Sequence, residues 1–94
     1  MRESRIESWL RDQVKQLGGL CLKFVSPGNV GVPDRIIILD SKVIFVELKT
    51  DTGRLSPKQV AMHKMMMARG ADVRVVYGMD EARQLVRDLE RMLE

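Results

Sequence analysis

The sequence has little cysteine, few aromatic residues and no long hydrophobic run. Its single cysteine, Cys21, excludes an intrachain disulfide and a zinc cluster built from cysteines, and it suits a reducing compartment. The four aromatic residues fall within helix or strand patterns, which argues against a stacking platform for single-stranded nucleic acid. The longest apolar runs, 36–39 and 43–46, are far too short to span a membrane.

Charge of one sign is not in large excess either. The 94 residues contain 16 Lys and Arg against 13 Asp and Glu, so the formal net charge is +3. This mild basic bias is compatible with a polyanionic partner, although the positive residues are spread along the chain.

The length and the hydrophobic content of 45% predict one globular domain over residues 1–94, with no second core. No hydrophobic segment typical of a secretion signal follows the first residues, and we expect a cytoplasmic protein.

The spacing of hydrophobic residues predicts the element order α-β-β-β-α-β-α. Helices are expected over 2–17, over 57–69 after an N-cap at Ser56, and along the apolar stripe 82–93. Strands are expected over 20–25, 35–39, 43–49 and 72–77. The second helix is long enough for a crossover, which favours a fourth strand parallel to the third. We therefore predict an α/β fold in which helices flank a mixed four-stranded sheet.

The second and third strands are close enough in sequence to form an antiparallel hairpin. If the loop is the pair Asp40 and Ser41, Asp34 lies directly across from Glu47 on the same face of the sheet. A loop one residue longer would place Asp34 opposite Leu48, on the wrong face. The chemistry described next favours the two-residue loop, or a bend at the preceding proline that brings the two carboxylates together in the same way.

Two carboxylates and a lysine at adjacent strand ends form a candidate site for phosphodiester hydrolysis. Asp34 and Glu47 would bind a hard cation such as Mg²⁺, and the backbone carbonyl of Leu48 could supply a third oxygen. Lys49 shares a face with Glu47 and could orient the attacking water or neutralise charge on the phosphate. A solvated turn residue and a surface ion pair are the alternative interpretation. The very apolar strand around Glu47 argues against it, because a buried charge needs a partner.

Three motifs together resemble the VRR-NUC family of the PD-(D/E)XK nuclease superfamily. They are GVPD at 31–34, VELK at 46–49, and LSP at 55–57 followed by Gln59. The resemblance covers nearly the whole chain, and it implies a restriction-endonuclease-like core that cleaves DNA with Mg²⁺, for which Mn²⁺ can substitute. It also implies that Asp34 and Glu47 are metal ligands and that Lys49 is the catalytic lysine.

The same resemblance assigns two further residues. Gln59 would be an auxiliary active-site residue, although a capping bond to Ser56 is a strong structural alternative. Glu7 would be the first-helix glutamate that reaches the metal through water, and a solvated flank of the helix is its alternative. His63 is a lone histidine, for which packing or solvation is a better interpretation than ligation.

The short chain resembles stand-alone phage and bacterial members of the family, which act as homodimers on branched DNA such as four-way (Holliday) junctions. This implies the cytoplasm of a bacterium or a phage-infected cell. The methionines at 62 and 65–67 point in too many helix directions for one core face, so they suit a subunit interface, with core filling as the alternative. Lys23, Ser26 and Asn29 are candidate DNA phosphate contacts.

Two other functions remain open at this point. One is a nicking or sequence-selective endonuclease that acts on ordinary duplex DNA. The other is a DNA-binding or protein-interaction module that keeps the fold without cleaving.

Overall fold

The computed structural model describes residues 2–94 and has the predicted element order. The helices are α1 (Glu3–Gln16), α2 (Pro57–Ala68) and α3 (Gly78–Met92), and the strands are β1 (Leu20–Lys23), β2 (Arg35–Leu39), β3 (Lys42–Lys49) and β4 (Asp72–Tyr77). The first strand is therefore two residues shorter than its apolar pattern predicts. Within residues 2–94, no helix has both the length and the hydropathy to cross a membrane.

The four strands form one mixed sheet in the order β1-β2-β3-β4. The pairs β1–β2 and β2–β3 are antiparallel, whereas β4 joins β3 in parallel after the α2 crossover, as predicted. Parallel pairing places the carboxyl ends of β3 and β4 at the same edge of the sheet. The segment VELK therefore ends beside Tyr77, the last residue of β4.

The hydrophobic core lies between one face of the sheet and helices α1 and α3. That face presents alternate residues of β2, β3 and β4, and the helices add their apolar stripes; the buried set is Ile6, Leu10, Val14, Ile37, Leu39, Ile44, Val46, Leu48, Val76, Ala82, Leu85, Val86 and Leu89. Helix α2 packs on the opposite face and contacts β4. The opposite face is covered only in part, and it carries the candidate site.

A two-residue turn sets the register of the β2–β3 hairpin. Asp40 and Ser41 both have positive φ, at 51° and 64°, as a turn with the hand of the strand twist requires. Leu39 consequently pairs with Lys42, and the pairing continues to Arg35 opposite Val46. The predicted register is confirmed. It places the next two residues, Asp34 and Glu47, across from each other.

Candidate active site

Asp34 lies just beyond the last regular pair of β2 and β3, where Pro33 interrupts the ladder. Its Oδ2 accepts a hydrogen bond of 3.1 Å from the backbone N–H of Leu48. Its carbonyl accepts another, of 2.8 Å, from the N–H of Phe24. The Asp34 carboxylate therefore occupies the position of a ladder acceptor, because the preceding proline ends regular pairing there. The side chain of Asp34 is therefore held by β3, and its carbonyl by the residue that follows β1.

Glu47 is buried beside Asp34, with only 1% of its surface exposed. Burial is the largest cause that raises the pKa of the Glu47 carboxyl, and a hydrogen bond with Asp34 and the negative charge of Asp34 add to it, so that this pKa is about 8. The Lys49 side chain opposes this shift. Two carboxyl groups this close cannot both ionise without a positive neighbour. The structure thus brings together the three residues that the sequence singled out, Asp34, Glu47 and Lys49.

Leu48 contributes its backbone rather than its side chain to this group. Its side chain is buried in the core on the opposite face. In an extended strand the N–H and C=O of one residue point toward the same neighbouring strand. Because the Leu48 N–H donates to Asp34, we infer that its carbonyl lies on the same side, among the site's oxygen atoms.

The donor set fits a hard divalent cation. It consists of two carboxylates and a backbone carbonyl, and Mg²⁺ binds proteins through one or two carboxylates while keeping several waters. Oε1 of Glu47 is buried and has no hydrogen-bond partner among the residues that the structure describes. A carboxyl group with a raised pKa is also expected where a cation normally replaces the proton. Within residues 2–94, no three His, Cys, Asp or Glu side chains converge closely enough to form a closed metal cage.

Helix α1 carries two glutamates with different surroundings: Glu7 pairs with Arg35, and Glu3 is coupled to the site through charge. Glu7 accepts hydrogen bonds from the Arg35 guanidinium, one of them 2.9 Å from Nε, and this ion pair lies on the α1 face of the sheet. Glu3, one turn earlier, is the glutamate whose pKa responds to the site: burial raises it, as does the charge of Asp34, while Lys49 lowers it. The sequence pattern singled out Glu7 and missed Glu3, because helical spacing does not show how the helix start meets the sheet.

His63 is the second residue that sequence reasoning missed. It is 3% exposed, and its Nε2 lies 3.6 Å from Oε1 of Glu47. Burial lowers the pKa of this imidazole, and the Lys49 side chain acts in the same direction, while Asp34 opposes both. The packed position agrees with the sequence interpretation, but the neighbour is a site carboxylate. No signal in the isolated sequence connects the two residues.

Gln59 takes part in the predicted capping box. Its Oε1 accepts from the N–H of Ser56 at 2.9 Å, and its own N–H donates to the Ser56 Oγ at 3.1 Å. The loop that leads to Asp34 packs against the same helix turn: at Gly31, with φ of +94°, an added Cβ would lie 2.5 Å from the carbonyl oxygen of Lys58. The start of α2 and the Asp34 loop are therefore in close contact.

The three candidate DNA contacts lie at the end of β1 and in the loop that leads to Asp34. Lys23 pairs with Arg35 in the sheet register, so the structure directs it to the α1 face rather than to the face of Asp34 and Glu47. Ser26 and Asn29 lie in one turn, where the Asn29 side chain donates to the Ser26 Oγ at 3.0 Å. Asn29 is exposed at this turn, and Ser26 is partly buried.

Comparison with known proteins gives consistent matches. The family profile of the VRR-NUC domain matches residues 4–80. A phage protein named "Putative nuclease p44", from Acyrthosiphon pisum secondary endosymbiont phage 1, is 42% identical over 81 residues, which cover 85% of this chain and 87% of the relative.

Solved structures also match. One described as a VRR_NUC domain superposes with a TM-score of 0.84 at 31% identity, covering 90% of this chain and 94% of the other. The Holliday junction resolvase Hjc of Archaeoglobus fulgidus shares the fold at a TM-score of 0.59 and 18% identity, over 80% of this chain and 67% of its own.

Proposed function

Because this chain belongs to the VRR-NUC domain family of nucleases, we propose that it is a metal-dependent endonuclease that hydrolyses phosphodiester bonds in DNA. The observation that supports this most directly is the buried Glu47 carboxyl, whose pKa is raised to about 8 beside Asp34. Such a pair is costly in a purely structural strand, and a hard cation would relieve the cost. The proposed ligands are Asp34, Glu47 and the Leu48 carbonyl.

Each residue of the site has a separate proposed role. Asp34 is held by the Leu48 N–H, so its carboxylate keeps one orientation while substrate binds. Lys49, on the same face as Glu47, is placed to orient the attacking water and to stabilise charge on the phosphate. Gln59 would assist through its amide nitrogen, since its oxygen is already bonded in the cap. A bound Mg²⁺ or Mn²⁺ would supply Lewis-acid activation of the phosphate and of water.

We propose branched DNA, such as a four-way junction, as the preferred substrate. Its support is the resemblance of this short chain to stand-alone family members, together with the fold that it shares with Hjc, which is itself named as a Holliday junction resolvase. The net charge of +3 is compatible with a polyanionic partner. A nicking or duplex endonuclease and a non-cleaving module remain the alternatives that an assay must separate.

The proposed assembly is a homodimer that forms through the uncovered face of the sheet. This face is apolar over β1, β2 and the start of β3, where Leu20, Leu22, Ile38 and Val43 are all exposed. Contiguous exposed apolar surface of this kind marks an interaction site. Met65 and Met67 of α2, which packs on the same face of the sheet, are also exposed. Two sites related by a two-fold axis would suit paired cuts in a symmetric junction.

A cleavage assay tests the proposal. A four-way junction, a flap and a linear duplex of the same base composition are incubated with the full chain and either Mn²⁺ or EDTA. We expect Mn²⁺-dependent cutting of the junction, faster than of the duplex. Faster cutting of the duplex would favour the alternative of a nicking or sequence-selective endonuclease that acts on ordinary duplex DNA. Binding of DNA without cleavage under any condition would favour the module.

A further inference from the structure

Helix α2 buries an imidazole more deeply than its hydrocarbon side chains, since Met62 and Met66 are only half-buried. Of its twelve residues, Pro57–Ala68, only His63 is buried. A helix that packs on a sheet normally buries an apolar stripe, because burying a polar ring without partners costs free energy. The position of His63 therefore needs a physical account beyond packing.

His63 and Glu47 lie side by side, and each has buried polar atoms that make no hydrogen bond within residues 2–94. In the part of the chain that the structure describes, both ring nitrogens of His63 and Oε1 of Glu47 are buried without a hydrogen bond. The Nε2–Oε1 distance of 3.6 Å exceeds a normal N–H···O spacing by about 0.5 Å. A small rotation of either side chain would close this gap. The two unpartnered groups are thus poised to satisfy each other.

A cation bound at Glu47 would make this bond necessary. If one carboxylate oxygen of Glu47 binds the cation, the buried Oε1 needs a hydrogen-bond donor of its own. His63 faces this oxygen with a nitrogen that can donate a hydrogen bond.

We propose that His63 is a positioning residue, which donates Nε2–H to Oε1 of Glu47 and so holds the other carboxylate oxygen toward the metal beside Asp34. This inference rests on the proposed function, because it assumes that Glu47 binds a cation. Hydrogen bonds to ligating side chains orient them, and removing such a bond usually weakens metal binding or activity about 10–100-fold. Loss of His63 should therefore weaken Mn²⁺ binding without removing any metal ligand.

Calorimetric titration of the full chain with Mn²⁺ tests the proposal, with His63→Leu and His63→Gln as a matched pair. Leucine fills part of the space without a donor, whereas the glutamine amide nitrogen can take the place of Nε2. We expect about a 10-fold or larger loss of Mn²⁺ affinity in H63L and substantial recovery in H63Q. Circular dichroism confirms that each variant is folded.

Nuclear magnetic resonance supplies a second measurement that needs no variant. The chain contains one histidine, so the imidazole ¹⁵N signals are unambiguous. We expect Mg²⁺ to shift the Nε2 resonance while the nitrogen keeps its proton. This result would support the hydrogen bond from His63 to Glu47 even if H63L did not fold.

Three results would overturn the positioning role, and they differ from one another. Equal Mn²⁺ affinity in wild type, H63L and H63Q would make His63 a packing residue and leave the proposed function intact. A directly coordinated ¹⁴N in the electron spin echo spectrum of the Mn²⁺ complex would make it a ligand. Absence of Mn²⁺ binding by the wild type would remove the proposed function as well.

Discussion

The Glu7 carboxylate bonds the guanidinium of Arg35, the residue directly after Asp34. Arg35 also donates to the carbonyl of Cys21 on the neighbouring strand, at 3.4 Å. Helix α1, strand β1 and the start of β2 therefore meet at a single guanidinium, which lies under the α1 face of the sheet. The ion pair anchors the segment that presents Asp34 to the opposite face.

We expect Glu7→Gln to act mainly on stability. Removing one partner of a largely buried pair leaves the Arg35 charge without compensation, which should lower the free energy of unfolding by about 2–4 kcal/mol. Urea denaturation measures this loss, and the Mn²⁺ affinity of the folded variant should stay within a few-fold of wild type. A variant of unchanged stability that binds Mn²⁺ much more weakly would instead place Glu7 at the metal.

Asp34→Asn and Lys49→Ala should separate metal binding from catalysis. Asp34→Asn removes a proposed ligand, so both Mn²⁺ affinity and cleavage should fall. Lys49→Ala should leave Mn²⁺ binding measurable while the rate constant for junction cleavage falls about 10²–10³-fold, because charge stabilisation on the phosphate is lost. Single-turnover cleavage and calorimetry provide the two measurements. Lys42→Ala, at the opposite end of β3, is the matched control and should cleave normally.

The raised pKa of Glu47 predicts an unusual pH dependence of stability without metal. Folded Glu47 keeps its proton up to about pH 8, whereas the unfolded carboxyl releases it near 4.5, so the folded state binds more protons between these values. The free energy of unfolding should therefore fall as the pH rises through this window. Urea denaturation in EDTA measures the slope.

Glu47→Gln provides the control for this pH dependence, because glutamine does not titrate. His63, whose pKa is lowered by burial, contributes an opposite slope that fades as the pH rises above 6.5, so the comparison is cleanest between pH 7 and 8. Over that range E47Q should lose less stability than wild type. Identical slopes in the two proteins would contradict the assignment of the titration to Glu47.

Gln59→Glu tests whether the second helix contributes chemistry as well as a cap. Glutamate can accept the Ser56 N–H as glutamine does, so the capping box and the stability should be retained. Cleavage should nevertheless fall, because the amide nitrogen donor is gone. Ser56→Ala is the companion variant: it should cost about 1 kcal/mol of stability. Full activity in Q59E would reduce Gln59 to a capping residue.

Leu22→Lys should disrupt the proposed dimer. Leu22 is 45% exposed on the uncovered sheet face, so a lysine there should change folding stability little while opposing association. Light scattering after size exclusion should give twice the 10.8 kDa chain mass for wild type and the single mass for L22K. Leu93→Lys, at 42% exposure near the end of α3, is the control and should remain dimeric. A monomeric wild type would contradict the proposed assembly.

Much of the site could be predicted because its geometry is local in sequence. The Asp40–Ser41 turn determines the hairpin register, and alternation along β3 then places Glu47 and Lys49 on one face. The capping box of Ser56 and Gln59 spans three residues and was predicted for the same reason. The same alternation could not assign a face to Lys23 until the pairing of β1 with β2 was known.

The sequence by itself determined the fold class and the pairing of Asp34 with Glu47, because short turns, strand alternation and helix caps depend on near neighbours. Its motifs carried the resemblance to the family. Only the tertiary structure decided that Glu7 binds Arg35, that Glu3 is electrostatically coupled to the site, and that His63 faces Glu47. These contacts join residues from separate elements. They depend on how the helices dock on the sheet, which local spacing does not specify.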